Sequence, residues 1–304
     1  MAPTTHSAVP DDRNASVEVY VNGEFVPRDQ ARISVFDSGF LVGDGIWEGI
    51  RLHHGSFAFL DRHLARLMHG LAVASIDPGM TRAEIAALLG AVVERNGMTD
   101  GVHVRIMITR GDKKTPSQHP ANLAGGPNIV VIAEWKQADP AVRDRGITLA
   151  TSSVRRPPPN TLDQRLNTHS KIHEVIALVE AMEAGADEAL MLDTEGSVAT
   201  CNATNFFMVT GGEVWTSGGG SNLPGITRAV VLEEARAAGI PAHERDFGIE
   251  DVYAADEAFV TGTFGGLTPV VAVDGRDIGV GRPGPMTGRL RSLYEARVEK
   301  ETRE

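Results

Sequence analysis

The chain has 304 residues, of which 42% are hydrophobic and 23% are charged, a composition typical of a folded globular protein. Because one hydrophobic core rarely serves more than about 250 to 300 residues, two domains are expected. The formal net charge is −11 and the acidic residues are scattered, which argues against nucleic acid and anionic membranes as partners. An anionic ligand would need a local basic pocket.

The single cysteine, Cys201, excludes an internal disulfide and a cysteine-rich metal site, and no metal site is predicted. Residues 1–15 are polar and contain no apolar core of signal-peptide length. No stretch reaches the roughly 20 apolar residues of a membrane-spanning helix. We therefore expect a flexible leader over 1–15 and a soluble protein of the cytoplasm.

The first half of the chain mixes strand and helix patterns. Alternating apolar and polar side chains predict strands, and apolar spacings of three and four predict helices. In chain order the predicted elements are a strand at 17–21, a tight turn at Asn22-Gly23, a second strand, a helix after Asp61, a capped helix from Thr81, and strands at 104–109 and 129–133. They predict a small mixed α/β domain over 16–135.

Residues 136–146 are polar, lack periodicity and contain Pro140, which makes them the best candidate for an interdomain linker. The elements predicted beyond it are strands at 147–151, 189–193, 206–209, 213–215, 257–261 and 270–273, and helices at about 168–184, 225–238 and 286–301. They predict a larger C-terminal domain over 147–304. The expected fold class is α/β (α+β mixed), in two domains.

Two long stretches of the sequence resemble one known family. Residues 37–51, DSGFLVGDGIWEGIR, and residues 154–209, from VRRPPPN to NFFMV, are similar to the class IV (fold type IV) pyridoxal phosphate transaminases. The resemblance implies that 37–51 walls the substrate pocket, with Phe40 and Trp47 as substrate-binding residues. The glycines of this stretch permit tight turns and close approach of a ligand.

Three shorter segments resemble the residues with which this family binds the cofactor phosphate. Arg66 matches the family's phosphate-binding arginine, and a guanidinium suits this role because its fixed donors always stay charged. Residues 223–228 (LPGITR) open a helix, whose free amides attract anions. The resemblance assigns the amides of Ile226 and Thr227 and the Thr227 hydroxyl to the phosphate. It further assigns Thr263 to the phosphate and Phe264 to the substrate.

His103-Val104-Arg105 stands where branched-chain members of the family carry Tyr-x-Arg. The resemblance implies that Arg105 helps to hold a substrate carboxylate, with His103 beside it. Strand alternation supports this, because it puts both side chains on one face. A rim arginine paired with an acidic neighbour is the alternative. Lys113 and Lys114 are expected to be exposed loop charges.

The reactive lysine of the family falls on Asn167 when the sequences are matched without a gap. In the family this lysine forms an imine with the cofactor and then moves a proton, which asparagine cannot do. Lys171 is expected on the same helix as Asn167, about 6 Å away along the axis, at the start of a buried stripe with Val175, Leu178 and Met182. We therefore predict Lys171 as the catalytic residue; a surface lysine paired with Glu174 is the alternative.

Thr200 occupies the position where the family usually has a glutamate that keeps the cofactor ring nitrogen protonated. The resemblance places Asn167, Thr200 and Asn205 in the cofactor site. A hydroxyl can hydrogen-bond the ring nitrogen but cannot hold its proton by charge. We therefore expect slower transamination than in ordinary members, or a shift to chemistry that depends less on a quinonoid.

The resemblance implies an aminotransferase that binds pyridoxal 5′-phosphate and moves an amino group between a small amino acid or amine and a 2-oxo acid. It also implies a homodimer. D-amino acid, (R)-amine and branched-chain substrates remain open. The alternatives are a lyase of the aminodeoxychorismate lyase type, whose sequence resembles residues 186–190 (ADEAL), and a cofactor-binding homologue with little turnover.

Overall fold

The computed structural model describes residues 4–5 and 7–303, and the chain divides into two compact units. The N-terminal unit comprises Pro10–Gln137, Leu166–Lys171 and the chain end from Glu301. The C-terminal unit comprises the chain start to Val9, Ala138–Arg165 and Ile172–Lys300. The domain boundaries drawn from the sequence stay predictions. The mixed α/β class is confirmed.

One antiparallel sheet forms the frame of the N-terminal unit. Its strands are β1 (Glu18–Val21), β2 (Glu24–Pro27), β3 (Gly45–His53), β4 (Ser56–Phe57), β5 (Val102–Thr109) and β6 (Asn128–Trp135), in the spatial order β2-β1-β6-β5-β3-β4. Its helices are α1 (Ser38–Val42), α2 (Leu60–Val73) and α3 (Arg82–Arg95). The predicted turn at Asn22-Gly23 and the capping box of Thr81 are both confirmed.

The two faces of this sheet differ in chemistry because side chains alternate along each strand. On one face, Ile50, Val104 and Ala133 lie in register and pack against leucines of α2 and α3 as the core of the unit. The opposite face carries the polar and aromatic side chains of the central strands. These are Trp47, Arg51, His103, Arg105, Met107 and Glu134.

A second, mixed sheet forms the frame of the C-terminal unit. Its strands are β7 (Ile147–Thr151), β8 (Glu188–Leu192), β9 (Val198–Cys201), β10 (Asn205–Thr210), β11 (Glu213–Thr216), β12 (Ala242–Glu244), β13 (Glu257–Gly262), β14 (Gly266–Val273) and β15 (Arg276–Asp277). Their spatial order is β12-β11-β10-β13-β14-β7-β8-β9, and β15 pairs with β14. The helices are α4 (Pro140–Arg145), α5 (Ile172–Glu183), α6 (Ile226–Ala237), α7 (Ile249–Tyr253) and α8 (Pro285–Arg303). No helix in the described part of the chain is long and apolar enough to cross a membrane.

The predicted helix at 168–184 is wrong in its first turn, because α5 begins only at Ile172. Residues 167–170 run instead along the edge of β3. Trp47 donates its backbone N–H to the Asn167 carbonyl (3.0 Å), and His169 donates to the Gly45 carbonyl (2.9 Å). Asn167 and Lys171 therefore do not share a helix face. Four steps of extended chain span up to about 13 Å, twice the separation expected from one helical turn.

The buried stripe predicted for this helix is also wrong. Val175 and Met182 are 51% and 45% exposed, whereas the buried residues of α5 are Glu174, Ala177 and Ala181. The helix therefore packs on the sheet through its small residues. Its larger apolar side chains face outward.

Part of the segment predicted as a flexible leader is packed against the C-terminal unit. Thr5 is buried, and Ala8 forms a bridge with Ala138. Residues 1–3 and His6 of the predicted leader lie outside the described residues.

Candidate active site

The polar face of the N-terminal sheet brings three predicted substrate residues together. The Arg105 guanidinium lies 4.1 Å from the centre of the Trp47 ring, a stacked cation–π contact. Gly49 pairs with Arg105 across the strands, and a Cβ at Gly49 would lie 2.9 Å from His103 Nε2. The missing side chain of Gly49 therefore makes room for the His103 ring. This is a close approach that only glycine allows.

Positive charge is concentrated on this face, in a protein whose net charge is −11. Burial, together with the charges of Arg51, Lys136 and Arg105, lowers the pKa of His103 to about 3, so the imidazole is neutral at physiological pH. Glu134 is the acidic group that faces these cations, and it also pairs with Arg28 at 2.9 Å. The face therefore suits an anionic ligand such as a carboxylate. Arg51 and Lys136 were not predicted from the sequence.

Arg66 belongs to a buried cluster around Glu48. Arg66 Nε and Nη2 donate to the two Glu48 oxygens at 2.6 and 2.9 Å, and His63 Nδ1 lies 2.8 Å from Glu48 Oε2. Burial alone would raise the pKa of Glu48, but the Arg66 charge and the contacts with Arg66 and His63 together lower it. The carboxylate thus fixes the orientation of the arginine predicted to bind phosphate. Glu48 was missed, although its alternation with Ile46 and Ile50 indicates that it points into the core.

The glycines of residues 39–45 make room for the segment that leads to Lys171. A Cβ at Gly43 would lie 2.4 Å from Ser170 Oγ, and one at Gly45 would lie 3.1 Å from the His169 ring. The sequence predicted close approach of a ligand at these glycines. The groups that approach Gly43 and Gly45 are parts of the chain itself. The predicted substrate residue Phe40 lies in the same stretch and is 69% exposed.

His169 stands close to the charges of this region. Its Nε2 is buried and has no hydrogen-bond partner among the described residues. Burial lowers the pKa of His169; Asp37 and the Ile46 backbone raise it, while Arg105 and Lys171 lower it. The net effect is a lowered pKa. Lys171 itself is half-buried and directly precedes α5.

The start of α6 is held by Asn205. Asn205 Nδ2 donates to the Leu223 carbonyl at 3.0 Å, and a Cβ at Gly225 would lie only 2.1 Å from Asn205 Oδ1. No side chain caps this helix N-terminus, and Thr227 in its first turn is buried. The amide of Asn205 is therefore engaged with the loop before Ile226. It positions the helix start.

Thr200 uses its hydroxyl hydrogen within the protein. Thr200 Oγ donates to the Thr204 carbonyl at 2.8 Å, so towards a ligand it offers only lone pairs. Thr204 Oγ in turn donates to Glu188 Oε2 at 3.3 Å. Burial raises the pKa of Glu188 to about 8, and the Asp187 charge raises it as well, although Thr204 and the Thr5 backbone oppose this. Glu188, which the sequence did not single out, is therefore mostly protonated at neutral pH.

The remaining predicted residues lie in a turn between two strands. Thr263 and Phe264 fall in the short loop that joins β13 to β14, and both are half-buried. Thr261, two residues earlier, is buried, and its Oγ has no hydrogen-bond partner among the described residues.

One lysine expected at the surface is buried. Lys113 is 2% exposed, and its Nζ donates to the His119 carbonyl at 3.2 Å. In the described part of the chain, no group of three or more His, Cys, Asp or Glu side chains could hold a metal ion.

The residues present fit pyridoxal phosphate in part. An uncapped helix start at Ile226, the buried Thr261 hydroxyl and the Arg66 guanidinium are donors of the kind that a phosphate dianion needs. Lys171, predicted as the catalytic residue, carries an amine of the kind that covalent attachment needs. The fit fails at two positions of the family pattern, because Asn167 is not a lysine and Thr200 is not a carboxylate.

Known proteins resemble the chain over nearly its whole length. The profile of the family described as amino-transferase class IV matches residues 45–273. Branched-chain-amino-acid aminotransferase-like protein 2 of Arabidopsis thaliana is 40% identical over 95% of this chain, which spans about half (51%) of that protein. The branched-chain-amino-acid aminotransferase of Pseudomonas aeruginosa is 34% identical, over 91% of each chain.

The fold also resembles that of a solved structure. The T.th. branched-chain amino acid aminotransferase with pyridoxamine 5′-phosphate has a TM-score of 0.87 and 32% identity, and the match covers 94% of this chain and 95% of that one. Sequence and fold thus agree. The chain belongs to the class IV aminotransferase family.

Proposed function

We propose that the protein is a pyridoxal 5′-phosphate-dependent aminotransferase, which moves an amino group between a small amino acid or amine and a 2-oxo acid. Family membership supports this reaction. The observation that carries the proposal for this chain is the docking of residues 167–170 along β3. The docked segment ends at a half-buried lysine, so an amine stands near the polar face that suits a substrate carboxylate.

Lys171 is the proposed point of covalent attachment. The bound cofactor supplies the aldehyde and the electron-withdrawing ring. Transamination moves a proton from the substrate carbon that bears the amino group to a carbon of the cofactor, and Lys171 is proposed to carry this proton. His169 contributes a buried ring nitrogen, Nε2, in the same region. Asn167 lies with its carbonyl bonded to β3 and contributes no amine.

The residues proposed to bind the phosphate are those that the family resemblance implies. Arg66, oriented by Glu48, supplies charge. The backbone amides of Ile226 and Thr227, at the start of α6, are proposed as hydrogen-bond donors to the phosphate. The Thr263 hydroxyl is proposed as a further donor. Because Asn205 fixes the loop before this helix, its proposed role is to position the amides.

The cationic face is proposed to bind the substrate carboxylate. Arg105, stacked on Trp47, is the proposed principal contact, with His103 as a neutral neighbour. Phe40 and Phe264 are proposed as substrate-binding residues from the family resemblance. These contacts do not distinguish among D-amino acid, (R)-amine and branched-chain substrates. The lyase and the inactive homologue are not favoured, because the family match supports transamination.

The test of the proposed function is reduction of the protein with borohydride in the presence of pyridoxal phosphate, followed by peptide mapping. We expect the reduced adduct on Lys171 and its loss in Lys171→Ala. Lys113→Ala is the matched control, because it removes a different buried lysine of the same unit. An adduct on another lysine would contradict the proposed role of Lys171, and failure to bind the cofactor at all would contradict the proposed function.

A homodimer is proposed as the functional assembly, as the family resemblance implies. Its support is an apolar stripe on the outer side of α5, at helical spacings of three and four. The stripe consists of Ile172, Val175, Ile176, Val179 and Met182, which are 68%, 51%, 47%, 47% and 45% exposed. A second copy that covered it would remove this apolar surface from water. The cytoplasmic location stays a prediction, for which the lone buried Cys201 is the support.

A further inference from the structure

Arg156 is a buried arginine that contacts Leu192, Glu174, Ser221 and His173 in the C-terminal unit. It is 3% exposed, and its backbone N–H donates to the Leu192 carbonyl at 2.8 Å, which fixes it beside β8. Its Nη1 donates to Glu174 Oε1 at 2.9 Å, and its Nε donates to the Ser221 carbonyl at 3.1 Å. A single planar guanidinium thus contacts two separate segments of the chain.

The first of these segments is the start of α5. Glu174 lies in the first turn of this helix, three residues after Lys171 in the chain. His173 lies beside this contact: its Nδ1 is 3.0 Å from Glu174 Oε2, and its Nε2 is 3.1 Å from Gln164 Oε1. The turn that follows Lys171 is therefore held by a network of buried and half-buried polar groups.

The second segment is the loop that leads into α6. Ser221 precedes Asn222, whose Nδ2 donates to the Ala199 carbonyl at 3.1 Å, and Leu223, whose carbonyl accepts from Asn205. The loop is thus held by Arg156 and Asn205 from other parts of the unit and by its own Asn222. Arg156 is the one among them that also contacts α5.

Stability alone is a poor explanation for such a residue. A buried ion pair pays a desolvation penalty that can exceed its attraction, and apolar replacements of a whole pair are often neutral or stabilising. Burial lowers the pKa of Arg156, while Glu174 partly offsets the cost. What an arginine adds is direction, because its donors point to several partners in one plane. A lysine at this position could not satisfy the Glu174 and Ser221 oxygens in the same way.

We propose that Arg156 is a positioning residue that couples the α5 start, which follows Lys171, to the loop that starts α6. The inference rests on the proposed function, in which Lys171 attaches the cofactor and the α6 start binds its phosphate. Under this proposal, pyridoxal phosphate reacts with Lys171 faster than pyridoxal does only when the α5 start and the loop before α6 keep their relative positions. A misplacement of about 1 Å can cost about 100-fold in such an oriented reaction.

The test compares the rate at which Lys171 is labelled by pyridoxal phosphate and by pyridoxal, which lacks the phosphate. Each adduct is trapped with borohydride and mapped. The readout is the ratio of the two rates, and we expect this ratio to fall about tenfold or more in Arg156→Met. Arg156→Lys should restore it only in part. Glu174→Gln serves as the second variant if Arg156→Met does not fold.

Arg145→Met is the matched control, because it removes an arginine–carboxylate pair of the same unit whose carboxylate, Asp187, belongs neither to α5 nor to the Ser221 loop. Its ratio should equal that of the wild type. Equal slowing of both aldehydes in the Arg156 and Glu174 variants would overturn the inference and leave a structural role. If the wild-type protein is not labelled at Lys171, the proposed function fails first, so the two failures are distinguishable.

Discussion

The backbone N–H of Trp47 donates to the Asn167 carbonyl at 3.0 Å, and this bond ties the approach to Lys171 to the N-terminal sheet. The side chain of the same tryptophan donates from Nε1 to the Thr168 carbonyl at 3.1 Å. Asn167 therefore contributes its backbone to the edge of β3. The amine proposed for the family chemistry is that of Lys171, four residues further along the chain.

Gly43→Ala should detach this segment. A Cβ there would lie 2.4 Å from Ser170 Oγ, and Gly43 has φ +71°, which favours glycine. We expect a loss of about 2 to 4 kcal/mol in the free energy of unfolding, measured by urea denaturation, and weaker labelling of Lys171.

Gly55→Ala is the matched control for this variant. Gly55 has a similar φ of +79°, but a Cβ there would meet no atom within 4 Å. It should therefore lose only the backbone contribution, about 1 kcal/mol, and keep the wild-type labelling of Lys171. Equal effects of the two substitutions would show that contact with Ser170 is unimportant.

Most of the fold could be predicted from local pattern, but the start of α5 could not. Residues 168–184 have a continuous helical pattern, and the bonds that keep 167–170 extended come from β3, about 120 residues away in the chain. Tertiary contacts of this kind override local preference. Arg66, Trp47, His103 and Arg105 could be predicted by resemblance, and the structure brings the last three together on one face.

Side chains that pair with a candidate residue through a distant contact could not be predicted from the sequence around them. Glu48 is a single carboxylate in a glycine-rich strand, and only the alternation with Ile46 and Ile50 indicates that it is buried. Nothing in the local sequence of Arg156 indicates that it meets Glu174 and Ser221, which are 18 and 65 residues away.

Glu48→Gln should destabilise the protein by about 3 to 5 kcal/mol at pH 7, because it leaves the largely buried Arg66 side chain without its countercharge. The pKa of Glu48 is lowered in the folded state. Its stabilisation is therefore fully present above the ordinary glutamate pKa and is lost as the pH falls through the folded value. Urea unfolding at pH 7 measures the destabilisation by Glu48→Gln, and urea unfolding in acid measures the loss of the Glu48 contribution. Glu18→Gln, which removes an exposed pair with Arg95, should have a much smaller effect.

Glu188 should give the opposite pH dependence. Burial raises its pKa to about 8, so the folded protein keeps a proton that the unfolded chain releases above about pH 4.5. Stability should therefore fall as the pH rises from about 4.5 to 8, by at most about 1.4 kcal/mol per pH unit. Glu188→Gln should remove this slope in urea titrations. Glu183→Gln, on the exposed end of α5, should retain it, and a slope that survives in Glu188→Gln would contradict the assignment.

Ile176→Glu tests the apolar stripe of α5 as a contact between two copies. The residue lies in the middle of the stripe and is 47% exposed in one chain, so a charge there costs little in a monomer but would be buried in a dimer. Light scattering after gel filtration should show a dimer for the wild type and a monomer for the variant. Val73→Glu is the control, because Val73 is 53% exposed at the end of α2 and is not part of the α5 stripe, so the dimer should stay intact. A wild-type monomer, or a dimer that survives Ile176→Glu, would rule out this interface.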